Sequence, residues 1–93
     1  MSDTKSASFK KSMINLRVVT PEKVACDEKV EFVGVPGKTG RYGILPDHES
    51  FITLLKPGEL RFGSENNPKI VKIGEGLMKI NKNNLTIVTG YVK

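Results

Sequence analysis

Apolar and polar residues alternate with a period of two along most of this chain, and no window shows the period of a helix. Ile14, Leu16 and Val18 alternate with Asn15, Arg17 and Val19, the pattern of a strand with one buried face. Thr20-Pro21-Glu22-Lys23 predicts a turn, Val24-Ala25-Cys26 a short strand, and Asp27-Glu28 a second turn. Lys29 to Pro36 reads as one strand, with Val30, Phe32 and Gly34 on one face and Val33 and Val35 on the other. Apolar on both sides from Phe32 to Val35, this strand is expected to be covered on both faces or to meet a partner.

The stretch from Phe32 to Gly58 is the most heavily punctuated. Gly37, Gly40 and Gly43 recur at a three-residue interval, and Pro36, Pro46 and Pro57 close off three strands. Gly43, between Tyr42 and Ile44, is expected to need a positive φ that a side chain would disturb. Glu59 to Phe62 follows as a strand, and Gly63 to Pro68 as a polar hairpin loop. Lys69 to Ile73 and Leu77 to Ile80 are strands joined across Gly74-Glu75-Gly76, with a tight turn at Asn81 to Asn84. Leu85 to Thr89 closes the sheet, and Tyr91 and Val92 make a last short strand. About ten short strands at this spacing predict an all-β fold, a β-sandwich or flattened barrel.

At 93 residues, 38% hydrophobic and 27% charged, the chain is the size of one modest domain and is not disordered in composition. Its apolar runs are too short to span a bilayer, and its first residues lack the apolar core of a secretory leader, so a cytoplasmic-side protein is expected. Residues 1–13, rich in Ser and Lys, predict a mobile tail, with the folded domain at 14–93. Lys5, Lys10 and Lys11 against Asp3 put two of the five net positive charges in that tail. The remaining lysines are scattered among acids, and six Phe and Tyr without Trp make a thin stacking platform, so nucleic acid is not the expected partner. The single Cys26 has no disulfide or metal-cluster partner and reads as a buried structural thiol.

Candidate chemistry is sparse. Gly37-Lys38-Thr39 has the ending of a phosphate-binding loop, but Phe32 stands where that loop needs its first glycine, and a strand follows where a helix is required. Leu77-Met78-Lys79-Ile80 is similar to the modified segment of biotinyl or lipoyl carrier domains, which makes carriage on Lys79 the alternative reading. A carrier lysine belongs at a hairpin apex, whereas Lys79 is predicted inside a strand. His48, the sole histidine, has no nucleophile or carboxylate at catalytic spacing, since Asp47 and Glu49 point away from it on an extended chain. It reads as a turn histidine bonded to a backbone carbonyl, or as a contact residue. No catalytic, cofactor-binding or metal-binding residues are expected.

Several segments resemble the epsilon subunit of F-type ATP synthases. They are Leu16-Arg-Val-Val-Thr-Pro-Glu22, Tyr42-Gly-Ile-Leu-Pro46 followed by His48, Gly76-Leu77 and Leu85-Thr-Ile-Val88. The nearest match is Phe51-Ile-Thr-Leu-Leu-Lys-Pro-Gly-Glu-Leu-Arg61, against a family pattern Leu-x-Thr-x-Leu-Lys-Pro-Gly-x-Leu-Arg. The resemblance covers residues 14 to 92. It implies a ten-stranded sandwich beside the gamma subunit of the central stalk and on the membrane c-ring, coupling ion flow to ATP synthesis without chemistry of its own. It also implies a monomer when isolated, held peripherally on the cytoplasmic face of the inner (plasma) membrane.

By the same resemblance, Lys38, Thr39, Gly40, Arg41 and Tyr42 face the c-ring, and Thr20 and His48 lie toward gamma. The sequence departs from the family in three ways. The family loop is commonly acidic, whereas this one carries Lys38 and Arg41, which implies a reversed or absent charge pairing with the ring. The usual Gly-His-Ala-Pro is Asp47-His48-Glu49-Ser50, so an altered turn is expected before Phe51. The family's carboxyl-terminal helical hairpin, which carries inhibition and in some members an ATP site, is not in this sequence, and neither property is expected of it.

Overall fold

A computed structural model describes residues 12–64 and 66–93, so the expected tail lies outside the described residues except for Ser12 and Met13. Among the described residues there are nine strands: β1 Ile14–Val19, β2 Val24–Val30, β3 Phe32–Gly37, β4 Gly40–Ile44, β5 Phe51–Leu55, β6 Gly58–Ser64, β7 Asn67–Ile73, β8 Gly76–Asn81 and β9 Asn84–Thr89. They form one curled sheet in the order β2-β1-β9-β8-β5-β3-β6-β7, with β4 paired to β3. Every pairing is antiparallel except β1 with β9.

The curl makes two layers, β2-β1-β9-β8-β5 and β4-β3-β6-β7. The layers meet at a hinge where β3 touches β5 at Gly37 opposite Leu55, and the segment after β9 also bonds β7, with Lys72 and Lys93 exchanging backbone hydrogen bonds at 3.1 and 2.8 Å. The Lys38 N–H donates to the Leu54 carbonyl at 3.0 Å and the Lys56 N–H to the Pro36 carbonyl at 2.9 Å, so the hinge is a short but complete ladder. Between the layers lies a single core, with Leu16, Val33, Val35, Leu60, Ile73, Met78, Leu85 and Ile87 fully buried. Each such side chain contributes about 1.5–3 kcal/mol on burial, which is where the stability of a helix-free domain has to come from.

Several expected boundaries are revised. Lys29 to Pro36 is two strands broken at Glu31, because β2 pairs with β1 in one layer and β3 with β6 in the other. The Glu31 N–H donates to the Gly63 carbonyl at 2.9 Å, which fixes this corner between layers. The corner shifts the alternation, so Val30, Val33 and Val35 are all buried, and both-face apolarity marks a change of layer. Asp27-Glu28 is no turn: it lies within β2, opposite Arg17 and Leu16, where the polar residues suit the exposed edge of a sheet. Tyr91 and Val92 form no strand, only an isolated bridge from Val92 to Ile73, so nine strands stand among the described residues in place of about ten.

Gly43 is not among the positive-φ residues, and open space surrounds the position a Cβ would take there. Gly76 is constrained instead, since an added Cβ would meet the Val88 carbonyl oxygen and the Thr89 Cα as β8 approaches β9; Gly37 is constrained likewise by the Gly40 carbonyl and the Tyr42 ring. Gly76→Ala is therefore expected to destabilise by about 1–3 kcal/mol, as an overpacked site against backbone does. Gly43→Val should leave stability within about 1 kcal/mol of the parent or raise it, since a strand gains from losing glycine. Urea midpoints of the two variants check this, and equal midpoints would contradict it.

Candidate functional site

The predicted ring-facing residues come together at the tip of the β3–β4 hairpin. Gly37 pairs with Gly40, leaving Lys38 and Thr39 as the two-residue connection. The Thr39 and Tyr42 hydroxyls lie 3.3 Å apart, and the Tyr42 ring tilts against Phe51 at a centroid distance of 5.9 Å. Arg41 turns back onto the sheet: its Nη2 donates to the Glu59 carbonyl of β6 at 3.0 Å. The basic pair is thus unequal, with Arg41 engaged by its own domain and Lys38 exposed at the tip.

Thr20 and His48 do not form one site. Thr20 follows the carboxyl end of β1, four residues beyond Leu16, and Leu16 shares a register with Leu85, Ile80 and Phe51. His48 precedes Phe51 by three residues, so the two lie at opposite ends of the strands, more than about 13 Å apart along them and about 14 Å across them. The Thr20 hydroxyl is already occupied. It accepts the N–H groups of Glu22 at 3.3 Å and Lys23 at 3.2 Å and donates to the Lys23 carbonyl at 3.2 Å, closing the turn into β2. His48 is exposed, its Nδ1 2.8 Å from the Glu49 carbonyl, which places the proton on Nδ1. Its ring tilts on Phe51 at 5.0 Å, so the turn-histidine reading describes its geometry.

The feature that sequence reasoning missed lies on the outer face of the five-stranded layer. Val24, Val19, Val88, Leu77 and Leu54 are successive register partners on β2, β1, β9, β8 and β5. They make a continuous apolar row about 19 Å long, at one strand spacing per residue. Val24 joins it because a bulge at Ala25 shifts the β2 register between Val18 and Val19. Ile52 sits beside the row and is 60% exposed; Leu54 is 54% and Val88 50% exposed. A shallow groove of about 440 Å³, lined by Lys38, Thr39, Ile52, Thr53, Leu54 and Leu77, leads from the row to the hairpin tip. Alternation along any one strand cannot reveal such a row, which exists only once the register is fixed.

Lys79 lies within β8, opposite Ile52 on one side and Thr86 on the other, and the hairpin apex is Lys82-Asn83. That placement disfavours the carrier reading. Among the described residues no three His, Cys, Asp or Glu side chains converge to hold a metal ion, and no helix is long and apolar enough to cross a membrane.

Residues 13–92 match the family model described as ATP synthase, Delta/Epsilon chain, beta-sandwich domain. The chain belongs to this family. It is similar to the ATP synthase epsilon chain of Herpetosiphon aurantiacus, 40% identical over 75 residues that make up 81% of this chain and 55% of the relative. The epsilon chain of Carboxydothermus hydrogenoformans is 39% identical over 75 residues, 81% of this chain and 56% of its own. The delta/epsilon sandwich described here thus spans just over half the length of these relatives. The fold is shared with a chain of the Euglena gracilis mitochondrial ATP synthase OSCP/F1/c-ring structure, at a TM-score of 0.82 and 20% identity over all of this chain and 67% of that one. A chain of the Tetrahymena thermophila ATP synthase central stalk/c-ring structure matches at a TM-score of 0.75 and 15% identity, over 90% and 68% respectively.

The delta/epsilon sandwich is open along one side, where β2 and β7 face each other without pairing. The Lys69 ammonium meets the Glu28 carboxylate there at 3.2 Å, above a cleft of about 340 Å³ lined by Val18, Cys26, Leu60, Phe62 and Val71. Cys26 lines this cleft and is half-buried, where the sequence predicted a buried thiol. Desolvation, with the nearby Glu28 charge, pushes its thiol pKa up. The thiolate is then disfavoured in the folded state more than in the unfolded one. That contribution to stability is present below the unfolded thiol pKa of about 8.5 and is lost as pH rises through the folded value. Cys26→Ser is expected to flatten the decline in stability above that pH, as read from urea midpoints at a series of alkaline pH values; an identical decline in the variant would contradict the assignment.

Proposed function

We propose that this domain is the β-sandwich of a central-stalk subunit of an F-type ATP synthase, without catalytic activity of its own. It docks its outer apolar row on the gamma subunit and presents the hairpin Lys38–Tyr42 to the c-ring, so that ion flow through the ring is coupled to rotation of the stalk. In this reading it sits peripherally on the cytoplasmic face of the membrane, held there by the complex. The carrying observation is the row from Val24 to Leu54. Five apolar residues in register across five strands leave a solvent-facing stripe that a self-sufficient domain has no need of.

Family membership supports the choice of partner. The charges around the stripe support its chemistry: Arg17, opposite Asp27, and Lys79 lie in the adjacent register row and Lys38 at the mouth of the groove, so the docking surface is apolar with a rim in which cations outnumber acids. A gamma surface with an apolar centre and acidic margin complements it, with the apolar centre supplying affinity and the margin orientation. Thr20 contributes by holding the turn beside Val19, its hydroxyl being occupied within the domain.

The test is binding of the purified domain to the gamma subunit of the same synthase. Leu77→Glu puts a charge at the centre of the row and is expected to weaken binding by about tenfold or more, as loss of a buried apolar anchor does. An exposed site should leave folding stability within about 0.5 kcal/mol. Unchanged affinity would remove gamma from this face. For the hairpin, Lys38→Glu should weaken assembly with the c-ring by about 1 kcal/mol or less at low salt. The effect should vanish at high salt, because exposed charges are screened over about 10 Å. Equal assembly at both ionic strengths would leave the ring contact to shape alone.

A further inference from the structure

The outer face of the four-stranded layer differs in charge from the apolar row on the other layer. Leu60 and Phe62 point into the core, so Glu59 and Arg61 of β6 point out, with Lys72 and Ile70 of β7 beside them in register. On the other side of β6, Gly34 of β3 lies between Arg61 and Gly43 of β4, and two residues on Pro36 lies opposite Arg41. The backbone exchange between Lys72 and Lys93 adds Lys93 to the same face. Among the described residues these rows hold four cations, Arg41, Arg61, Lys72 and Lys93, and one acid, Glu59. They form a stripe about 19 Å long across the strands and about 7 Å wide.

The fold sets these cations in place. The β3–β6 ladder ends at Gly34 opposite Arg61, because Pro36, next in line to face Glu59, has no N–H to give. The Arg41 guanidinium supplies the missing donor, bonding the Glu59 carbonyl at 3.0 Å. That bond draws Arg41 back from the hairpin tip and lays it over Gly34, where a Cβ would stand 3.7 Å from Nη2. The rest of its five-donor fork is left over. Arg61 reaches the Glu59 carboxylate only at 3.7 Å, with both side chains about half exposed. The Lys93 ammonium rests 5.2 Å from the centre of the Tyr91 ring, which itself covers Gly74. One carboxylate among four cations leaves most of their donors to an outside acid.

We propose that this stripe is a second docking surface, and that it receives an acidic segment of a protein chain. Arg41 and Arg61 take its carboxylates through their planar forks, Lys72 and Lys93 as point charges. Shape selects the occupant. A stripe one pleat wide matches a chain laid across the strands, whereas an anionic bilayer engages a broad basic cluster or an inserted apolar face. The stripe and the apolar row lie on opposite sides of the sandwich, so this inference does not rest on the stalk reading.

The test titrates the whole chain with a labelled peptide of alternating Glu and Ser, whose carboxylates recur about 7 Å apart along one edge. Fluorescence anisotropy gives the affinity, and backbone NMR shifts give the place. Shifts are expected at Arg41, Arg61, Lys72 and Lys93, and not along the row from Val24 to Leu54. Arg61→Glu with Lys72→Glu should weaken binding about tenfold at low salt, and the difference should disappear at high salt. Arg41 is left intact because it serves the Glu59 carbonyl. Lys23→Glu with Lys29→Glu makes the same charge change at exposed positions of β2 and the turn before it. That pair should alter affinity less than about twofold. Equal losses in the two pairs would show attraction by net charge alone and overturn the surface, as would a peptide that fails to bind the parent. Phosphatidylglycerol vesicles held through Arg61 and Lys72, with the peptide ignored, would overturn the protein segment and give the stripe to a membrane.

Discussion

One register governs this domain. Leu16 stands beside Leu85, Leu85 opposite Ile80 and Ile80 opposite Phe51; two residues on, Val18, Ile87, Met78 and Thr53 repeat the alignment. Side chains alternate across a sheet, so a slip of one residue on any of these strands would turn its buried set out to water. The inward rows bury Leu16, Val18, Met78, Ile80, Leu85 and Ile87 almost completely, and several kcal/mol oppose the slip at each strand. The same alignment dictates what faces outward. Val19, Val88, Leu77 and Leu54 line up because the rows between them are committed to the core. The candidate partner face is thus a consequence of the packing that makes the fold.

The rest of the architecture manages what that register leaves open. The two layers are joined by backbone at Gly37 and Leu55 and again where Lys72 and Ile73 of β7 pair with Lys93 and Val92, which leaves β2 and the start of β7 facing each other without a shared ladder. Both edges are guarded in the manner of natural sheets: β2 by its bulge and by Asp27, Glu28 and Lys29, β7 by Pro68, Lys69 and Lys72. The Lys69–Glu28 pair bridges the gap through side chains only, so the open side is held far less firmly than the hinge. Exposed apolar surface is concentrated on the opposite face, in the layer with complete backbone pairing.

Period-two alternation in β1, β8 and β9 was enough to predict an all-β sandwich, because strands with one covered face write that pattern directly into the sequence. It misled wherever the chain changes layer or forms an edge. Asp27 and Glu28 read as a turn because polarity there reflects an exposed edge, and Lys29 to Pro36 read as one strand because the corner at Glu31 carries no proline or glycine. Glycine spacing pointed to Gly43, where a side chain has room, whereas close approaches exclude one at Gly37, beside the Gly40 carbonyl and the Tyr42 ring, and at Gly76, set by the β8–β9 register. At the candidate site, the hairpin tip was legible in its glycines. The use of Arg41 within the domain and the hydrogen-bonded Asp47–Asn83 pair were not, since each joins residues far apart in the chain; the occupied hydroxyl of Thr20 is local, bonded within the turn to Glu22 and Lys23.

The most direct test of the central claim is methyl cross-saturation NMR on the domain with labelled Ile, Leu and Val methyls, bound to an unlabelled gamma subunit of the same synthase. The register account predicts that saturation transfers to Ile52, Leu54, Leu77 and Val88 together, and leaves Ile70 on the exposed side of β7 unaffected. Transfer to Ile70, with no effect on the row across β5, β8 and β9, would contradict it.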